Sequence, residues 1–482
     1  MTPATPKPPT TPDTPNSPCP TTGPGTSPNV TAAPGPGSGS GSGSGNSASL
    51  ATAQRSLGDP ALTYPLWPPL TAGCPRTSTD EVAFPVEVDY AYDQVDPRLF
   101  AAPVPGRWTG IDHWAPLLPP LMAPGMGEGR TPLVEIADGV YVKDESRNPT
   151  WSHKDRLNRV TASAALRVGA PGTVVASSGN HAASAAAFAA RAGLRCVVLA
   201  SADSPPAVAS FVRAYGAVVL PVPAEARWPL ARMIAERCGF HPVTNLTRTH
   251  TGHAFGPEGY KTIAYEIHAE IGVPAAVFVP TGYGEMLFGV WKGFTELRRL
   301  GLTDRVPRMY AAEPDAGGPL HAALAQGRPA ARVDVGATDA YGIDCAVGGY
   351  RGVLAVRDSG GAALLVSDAH MREAQRELAA NGMWAELSGA AGLAAHRAAA
   401  HRAGPHADPG PDPDADTGPG PDTGAGSGAG TDTDAVALDG PVVCVSTSSG
   451  FKDRGVGADV PVPVDPSWEA VAPRLRAAGI GM

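Results

Sequence analysis

The stretch "VYVKDESRNPTWSHKDRLNRV", residues 140–160, places Lys154 between a histidine and an aspartate, after an apolar run and an Asn-Pro-Thr turn. The letters that follow the lysine, "LNRVTASAALRVG", are typical of a helix. Taken alone, a lysine beside such a turn is most often a solvated loop residue. A chemical role for Lys154 therefore depends on what the rest of the chain brings to it.

Composition separates the segments that can fold from those that cannot. The chain has 482 residues, of which 58 are Gly and 52 are Pro, and these are concentrated in residues 1–72 and 403–437. Both segments lack the apolar surface needed to offset the entropy of ordering, so we expect both to be disordered. About 370 residues remain, which is enough for a large core.

Charge and targeting signals exclude several classes of protein. The formal net charge of −9 disfavours nucleic-acid and anionic-membrane partners. The N-terminal "MTPATPKPPT" lacks the apolar core of a signal peptide, and no run of eighteen apolar residues occurs, so a soluble cytoplasmic protein is expected. The six cysteines show no CxxC or CxxH spacing, so we expect neither a disulfide framework nor a metal site.

From residue 131 onward, short apolar runs alternate with helical stretches. The runs are "GTVVAS", "LRCVVLA", "GAVVLPV", "AAVFVPT", "RMYAAEP" and "PVVCVST". Their β-branched residues are typical of strands buried on both faces of a parallel sheet. The pattern predicts an α/β fold whose ligands bind at the carboxyl ends of the strands.

Three of these strands run into unusual loops. The loop "SSGNHAAS" (177–184) combines hydroxyls, an amide and helix-start N–H groups, which suit a small anion, although an ordinary capped helix start fits equally well. In "PTGYGEMLFG" (280–289), glycines before an amphipathic helix favour either one phosphate or a plain tight turn. The hydroxyls of "STSSGFKDRG" (446–455) could bond a ring nitrogen or close a turn.

In this order, the lysine and the three loops resemble the fold type II pyridoxal-phosphate enzymes, the tryptophan synthase β-subunit-like superfamily. The segments most similar to threonine synthases are "GEGRTPLVEI", "VYVKDESRNPTWSHKDR", "SSGNHAAS", "PEGYKTIAYEI", "PTGYGEMLFG" and "STSSGFKD". The resemblance spans about residues 127–455. It implies a two-domain α/β architecture with mostly parallel sheets flanked by helices, pyridoxal phosphate as cofactor and a small amino acid as substrate. A homodimer is compatible with it.

The resemblance also implies how the chain is divided. Residues 73–126 would be an N-terminal lead, and residues 127–402 and 438–482 would form the catalytic region. A smaller substrate subdomain would lie within residues 160–270. The lead resembles a zinc ribbon but keeps only Cys74, so no zinc is expected there.

By the same resemblance, Lys154 forms a Schiff base with the cofactor and later moves protons at the substrate carbons. Asn180 would bond the phenolic oxygen, and Thr447 would face the pyridine nitrogen. The backbone N–H groups assigned to the cofactor phosphate are those of Gly282, Tyr283, Gly284, Glu285 and Met286. The side chains assigned to the substrate carboxylate are Ser177, Ser178 and His181.

Several positions depart from the family pattern. Trp151 and His153 stand where Gly and Phe are usual, and His181 resembles the dehydratases more than the threonine synthases. The arginine that commonly helps bind the substrate phosphate is missing before "EGYKT", so Arg248 or Lys261 would have to supply that charge.

Glu386 lies near a segment that lines the cofactor in the family, but a helix cap explains it equally well. The leading interpretation is a threonine synthase-like conversion of O-phosphohomoserine to threonine and phosphate. The alternative is a serine/threonine dehydratase or diaminopropionate-type ammonia-lyase, which the missing arginine and the "SSGNH" loop favour. A non-catalytic member that binds the cofactor or a metabolite is a third alternative, against which the retained Lys154, Asn180 and Thr447 argue.

Overall fold

A computed structural model describes residues 48–101, 110–202, 204–403, 438–454, 456, 465 and 467–479. The strands in these ranges are β1 (Ala51–Ser56), β2 (Thr63–Pro65), β3 (Val86–Tyr90), β4 (Leu133–Ala137), β5 (Val140–Asp144), β6 (Gly172–Ala176), β7 (Arg195–Ala200), β8 (Val218–Pro221), β9 (His241–Pro242), β10 (Ala276–Pro280), β11 (Arg308–Pro314), β12 (Ala362–Val366) and β13 (Val442–Ser446). The helices are α1 (Lys154–Arg167), α2 (Asn180–Arg191), α3 (Pro206–Ala214), α4 (Arg227–Cys238), α5 (Gly256–Tyr260), α6 (Thr262–Ile271), α7 (Glu285–Arg299), α8 (Pro319–Ala325), α9 (Tyr350–Ser359), α10 (Asp368–Ala380), α11 (Leu387–Ala403) and α12 (Trp468–Ala477).

The largest sheet has six strands in the order β12-β11-β10-β13-β5-β4, and β4, which pairs antiparallel with β5, is its exception to parallel pairing. Its central strands are buried on both faces because their side chains alternate between two hydrophobic clusters. Val443 and Val445 belong to one cluster, and Val442 and Cys444 belong to the other. Helices must therefore cover both sides of this sheet.

A second sheet has four parallel strands in the order β8-β7-β6-β9. Helices α2 and α3 pack on one face, where Val175 and Val198 meet Val208. Helix α4 packs on the other face, where Val174 and Leu199 meet Ala231. The strands of this sheet all lie within residues 160–270, the range in which the smaller substrate subdomain was predicted to lie.

The predicted boundary of the disordered N-terminal segment is wrong. Residues 1–47 lie outside the described residues, but residues 48–72 contain β1 and β2, which form an antiparallel sheet with β3 in the order β2-β1-β3. The buried Gln54 amide donates to the carbonyl oxygen atoms of Pro65 over 2.8 Å and Pro68 over 2.9 Å. The Pro/Gly/Ser bias ends near residue 47, and the apolar side chains after it pack against the core.

The second predicted disordered segment lies almost wholly outside the described residues, which resume at residue 438. No helix in the described ranges is long and apolar enough to cross a membrane. The predicted fold class, α/β with mostly parallel sheets flanked by helices, is confirmed.

Candidate active site

A cavity of about 1040 Å³ opens between the loops that follow β6, β10 and β13. The starts of α1 and α4 also contribute to its wall, together with residues within 243–253 and 341–347. β10 and β13 belong to the six-stranded sheet and β6 to the four-stranded sheet, so the three loops that stood out in the sequence meet where the carboxyl ends of strands from both sheets face the same cavity. Of the predicted site residues, those that line the cavity are Lys154, Ser177, Ser178, Asn180, His181, Arg248, Gly282, Tyr283, Gly284, Glu285, Met286 and Thr447.

Lys154 is the first residue of α1, and its amine lies 5.6 Å from the centre of the Tyr260 ring. Burial lowers the pKa of Lys154, and the negative charge of Glu285 acts in the opposite direction. More of this amine is therefore neutral and nucleophilic than on an exposed lysine. The His153 backbone N–H donates to the Thr447 carbonyl oxygen over 3.0 Å, which joins the lysine segment to the end of β13.

The loop between β6 and α2 presents two serines and a histidine. Ser177 Oγ accepts from the Gly179 N–H over 3.2 Å, and Ser178 Oγ accepts from the Ser201 N–H over 2.7 Å. Burial and the charge of the nearby lysine lower the pKa of His181 to about 3, so its imidazole is neutral near pH 7. Its Nε2 is buried and has no hydrogen-bond partner. The loop thus keeps polar groups available to a ligand.

Glu386, whose role the sequence left open, is fully buried and lines the cavity. Its Oε2 accepts from Asn180 Nδ2 over 2.7 Å and also from Ser448 Oγ. Asn180 Oδ1 and Glu386 Oε1 are both buried without a partner. Unpartnered buried polar atoms are rare unless a ligand completes them, so this pair fits a polar cofactor.

The glycine loop before α7 has a backbone that other residues could not adopt. Gly284 has φ +80°, and a Cβ there would lie 2.9 Å from the Gly352 Cα. A Cβ at Gly282 would lie 2.7 Å from Cys345 Sγ. The first N–H groups of α7 have no intrahelical acceptor, and the helix dipole favours an anion at this end. The loop therefore fits the phosphate of the predicted cofactor.

Five arginines line the cavity, and one of them, Arg454, lies over the Tyr341 ring. We call the other four the arginine wall: Arg227, Arg232, Arg248 and Arg332. Arg227 Nη2 donates to Ser201 Oγ, while its Nε is buried without a partner. Arg332 Nη2 donates to the Arg248 carbonyl oxygen over 3.4 Å. Within the described ranges, none of the four is ion-paired with a carboxylate. Sequence reasoning found Arg248 but missed the other three, which carry no local motif.

The predicted substrate contact of Lys261 is wrong. Its fully buried amine pairs with Glu258 over 2.7 Å and Glu296 over 3.0 Å, and it lies 3.8 Å from the centre of the Tyr90 ring. Lys261 lies at the break between α5 and α6. The charge of Lys261 is therefore neutralised inside the core, away from the cavity.

Solved structures share this architecture. Maize serine racemase superposes with a TM-score of 0.53 at 19% identity, covering 73% of this chain and 94% of that one. A fungal L-serine ammonia-lyase from Rhizomucor miehei gives a TM-score of 0.53 at 19% identity, covering 68% and 95%. At these identities the likeness establishes the fold alone.

Sequence relatives are more specific. Threonine synthase of Methanosarcina acetivorans is 30% identical over 334 residues, which are 64% of this chain and 78% of the relative. Threonine synthase of Synechocystis sp. is 34% identical over 309 residues, covering 60% and 77%. Residues 125–408 match the family described as "Pyridoxal-phosphate dependent enzyme". The chain therefore belongs to the pyridoxal-phosphate-dependent enzyme family, and its cofactor is pyridoxal phosphate.

Proposed function

We propose that this chain is a threonine synthase-like enzyme, which converts O-phosphohomoserine and water to threonine and inorganic phosphate. The observation that carries the proposal is the arginine wall in the cavity that also contains the glycine loop. A substrate phosphate needs its own cationic site, because a dianion is rarely held in a low-dielectric cleft without a fixed cation. The similarity to threonine synthases at 30% and 34% identity supports the same reaction class.

When bound, pyridoxal phosphate supplies an electron sink that makes protons on the substrate carbons acidic. We assign its covalent attachment to Lys154; the substrate amine would displace the lysine amine, which would then be free to move those protons. Asn180, held by Glu386, has a second amide N–H to donate to the phenolic oxygen. Thr447 offers a neutral hydroxyl to the pyridine nitrogen, which leaves that nitrogen largely unprotonated and the sink weaker than one paired with a carboxylate.

The substrate carboxylate is assigned to Ser177, Ser178 and His181. Ser201 connects this loop to the arginine wall, since its N–H donates to Ser178 Oγ and its hydroxyl accepts from Arg227. Ser201 would therefore fix the distance between the groups that bind the carboxylate and the phosphate of a phosphorylated amino acid. A fixed separation of this kind selects a substrate by length.

Elimination from an unphosphorylated amino acid is the second candidate, and the "SSGNH" loop favours it. The neutral His181 ring can donate to or accept from a small polar substrate without adding charge. A dehydratase or ammonia-lyase of this kind would need no cationic wall.

Replacing Arg227 with Met tests the choice between the two reactions. We expect kcat/KM for O-phosphohomoserine to fall by ~10- to 100-fold, the loss for a charge-assisted contact worth ~1.5–3 kcal/mol. Turnover of serine and threonine should hardly change. Phosphate, ammonia and keto acid release would be followed, with Arg357→Met as a control because Arg357 lies outside this cavity.

One pattern of substrate use would contradict the threonine synthase proposal and favour the lyase. That pattern is a wild-type chain that ignores O-phosphohomoserine but releases ammonia and keto acid from serine or threonine. Substitution of Arg248 extends the test, since its guanidinium is exposed at the same wall.

A further inference from the structure

Glu285 places a carboxyl group inside the loop that fits the cofactor phosphate. It is the first residue of α7, directly after the left-handed Gly284. Its side chain is buried, and the residue lines the cavity. A carboxylate stabilises the start of a helix through the same positive field that attracts a phosphate, so the two anions compete for one region.

The carboxyl group is incompletely satisfied. Oε1 is buried without a hydrogen-bond partner, and it lies 3.6 Å from Arg351 Nη1. Oε1 also lies against Gly252, where an added Cβ would be 1.9 Å from this oxygen atom. Burial raises the pKa of Glu285, while Lys154, Arg351 and the His253 backbone N–H act in the opposite direction.

The groups facing Glu285 come from several elements. Lys154 comes from α1 and Arg351 comes from α9. Tyr260 comes from α5, and its pKa lies well above the usual value because of burial and, secondly, the charge of Glu285. Burial lowers the pKa of the nearby His250 and His253 well below the ordinary histidine range, so neither adds positive charge near pH 7. Lys154 and Arg351 are therefore the two basic groups that act on this carboxyl group before any phosphate arrives.

A bound phosphate changes this balance by bringing up to two further negative charges to the start of α7. Anions held close together in a low-dielectric site cannot all remain ionised, so they compete for a proton, and burial favours the neutral form of Glu285 in that competition. Arg351 is already committed to the carbonyl oxygen atoms of Thr251 and Val86 and cannot turn toward the phosphate without losing them.

We propose that Glu285 takes up a proton when the cofactor phosphate binds beside it, so that this residue couples cofactor affinity to pH. A bound phosphate raises the pKa of Glu285 further above its value in the free protein. Between those two values, binding consumes a proton, and the Glu285 contribution to affinity falls by up to ~10-fold per pH unit as pH rises. Below the lower value and above the upper one, the contribution is constant.

The experiment measures dissociation constants of the full-length apoprotein for pyridoxal phosphate and for pyridoxal between about pH 5.5 and about pH 8.5. Wild type is compared with Glu285→Gln, which keeps the shape and removes the charge. Titration of the free cofactor's phosphate affects both proteins equally, so it cancels in the ratio. Glu225→Gln is the matched control, because Glu225 is an exposed carboxylate on the same cavity.

For pyridoxal phosphate we expect the ratio of the wild-type to the Glu285→Gln dissociation constant to rise by ~10-fold or more across this range. For pyridoxal, and for the Glu225→Gln comparison, the ratio should stay flat. A flat ratio for pyridoxal phosphate, or an equal rise for pyridoxal, would overturn the proposal. Should Glu285→Gln fail to fold, Glu285→Asn provides the same comparison, and calorimetry in two buffers counts the protons directly.

Discussion

Two buried lysines near the cavity differ in what their amines face. Lys154 lines the cavity, whereas Lys452 donates from Nζ to the Thr150 carbonyl oxygen behind the cavity wall. Burial lowers the pKa of both, that of Lys452 to about 8. A depressed pKa is therefore common to both lysines, and access to the cavity is what distinguishes them.

This difference predicts opposite results for two substitutions. Lys154→Ala should lose the visible absorption band of lysine-bound pyridoxal phosphate, because Lys154 carries the one side-chain amine among the described residues that line the cavity. Lys452→Met should keep that band per mole of folded protein. Absorption spectra of the two variants after addition of cofactor measure this, and an unchanged band in Lys154→Ala would refute the assignment of the lysine.

At single residues, sequence reasoning worked where position along a strand determines position in space. Thr447 directly follows the buried strand β13, and Asn180 is the first residue of α2, shortly after the buried strand β6. Their positions at the carboxyl ends of these strands bring both residues to the cavity. Lys261 failed because a motif match identifies a segment but does not show toward which side a side chain points. Arg227 was missed because its role depends on how α4 packs, which no local pattern records.

At the scale of elements, a buried ion network joins α1 to β5 and α6. Arg156 Nε donates to Glu145 over 2.7 Å, and its Nη1 donates to Glu266 over 2.6 Å, with all three side chains fully buried. The two positive neighbours of Glu266, Arg156 and then Lys143, hold the pKa of this carboxyl at about 2. The network orients the helix that begins with Lys154.

Replacing Arg156 with Met should lower the free energy of unfolding by ~3–5 kcal/mol, because two carboxylates would be left buried without their main partner. Urea unfolding followed by circular dichroism measures the loss. Arg98→Met is the control, since the Arg98 side chain is 88% exposed and its pairing with Asp96 is screened by water. Equal stabilities of the two variants would show that the network does not hold α1 in place.

The strands best predicted from the sequence are those buried on both faces. Runs such as "AAVFVPT" and "PVVCVST" have valines on both sides because both faces of the sheet are covered, and they became β10 and β13. β12 at the sheet edge is only partly buried, and β1 buries Gln54 and Ser56 through hydrogen bonds. Neither has the apolar run that marks a central strand.

At the scale of the whole molecule, composition located the low-complexity segment but overextended it. Prolines continue through "LTYPLWPPL", yet there they alternate with aromatic and aliphatic side chains that pack on the core. Arg55 on β1 pairs with Glu87 over 2.6 Å and with Asp89 over 3.0 Å on β3. These contacts tie β1 to β3, whose Val88 and Val86 carbonyl oxygen atoms accept from Lys292 of α7 and Arg351 of α9.

Two truncations measure what that segment contributes. A chain lacking residues 1–72 should have a lower free energy of unfolding, by at least ~5 kcal/mol, than a chain lacking residues 1–47, because several apolar side chains each worth ~1.5–3 kcal/mol are removed with β1 and β2. Urea unfolding of both chains isolates the effect of residues 48–72 from that of the residues before them. β3 would also lose its strand partner and expose an edge to solvent. The two truncated chains could instead unfold at the same urea concentration with the same slope. Residues 48–72 would then contribute nothing to stability, and residue 72 would be the correct start of the stable fold.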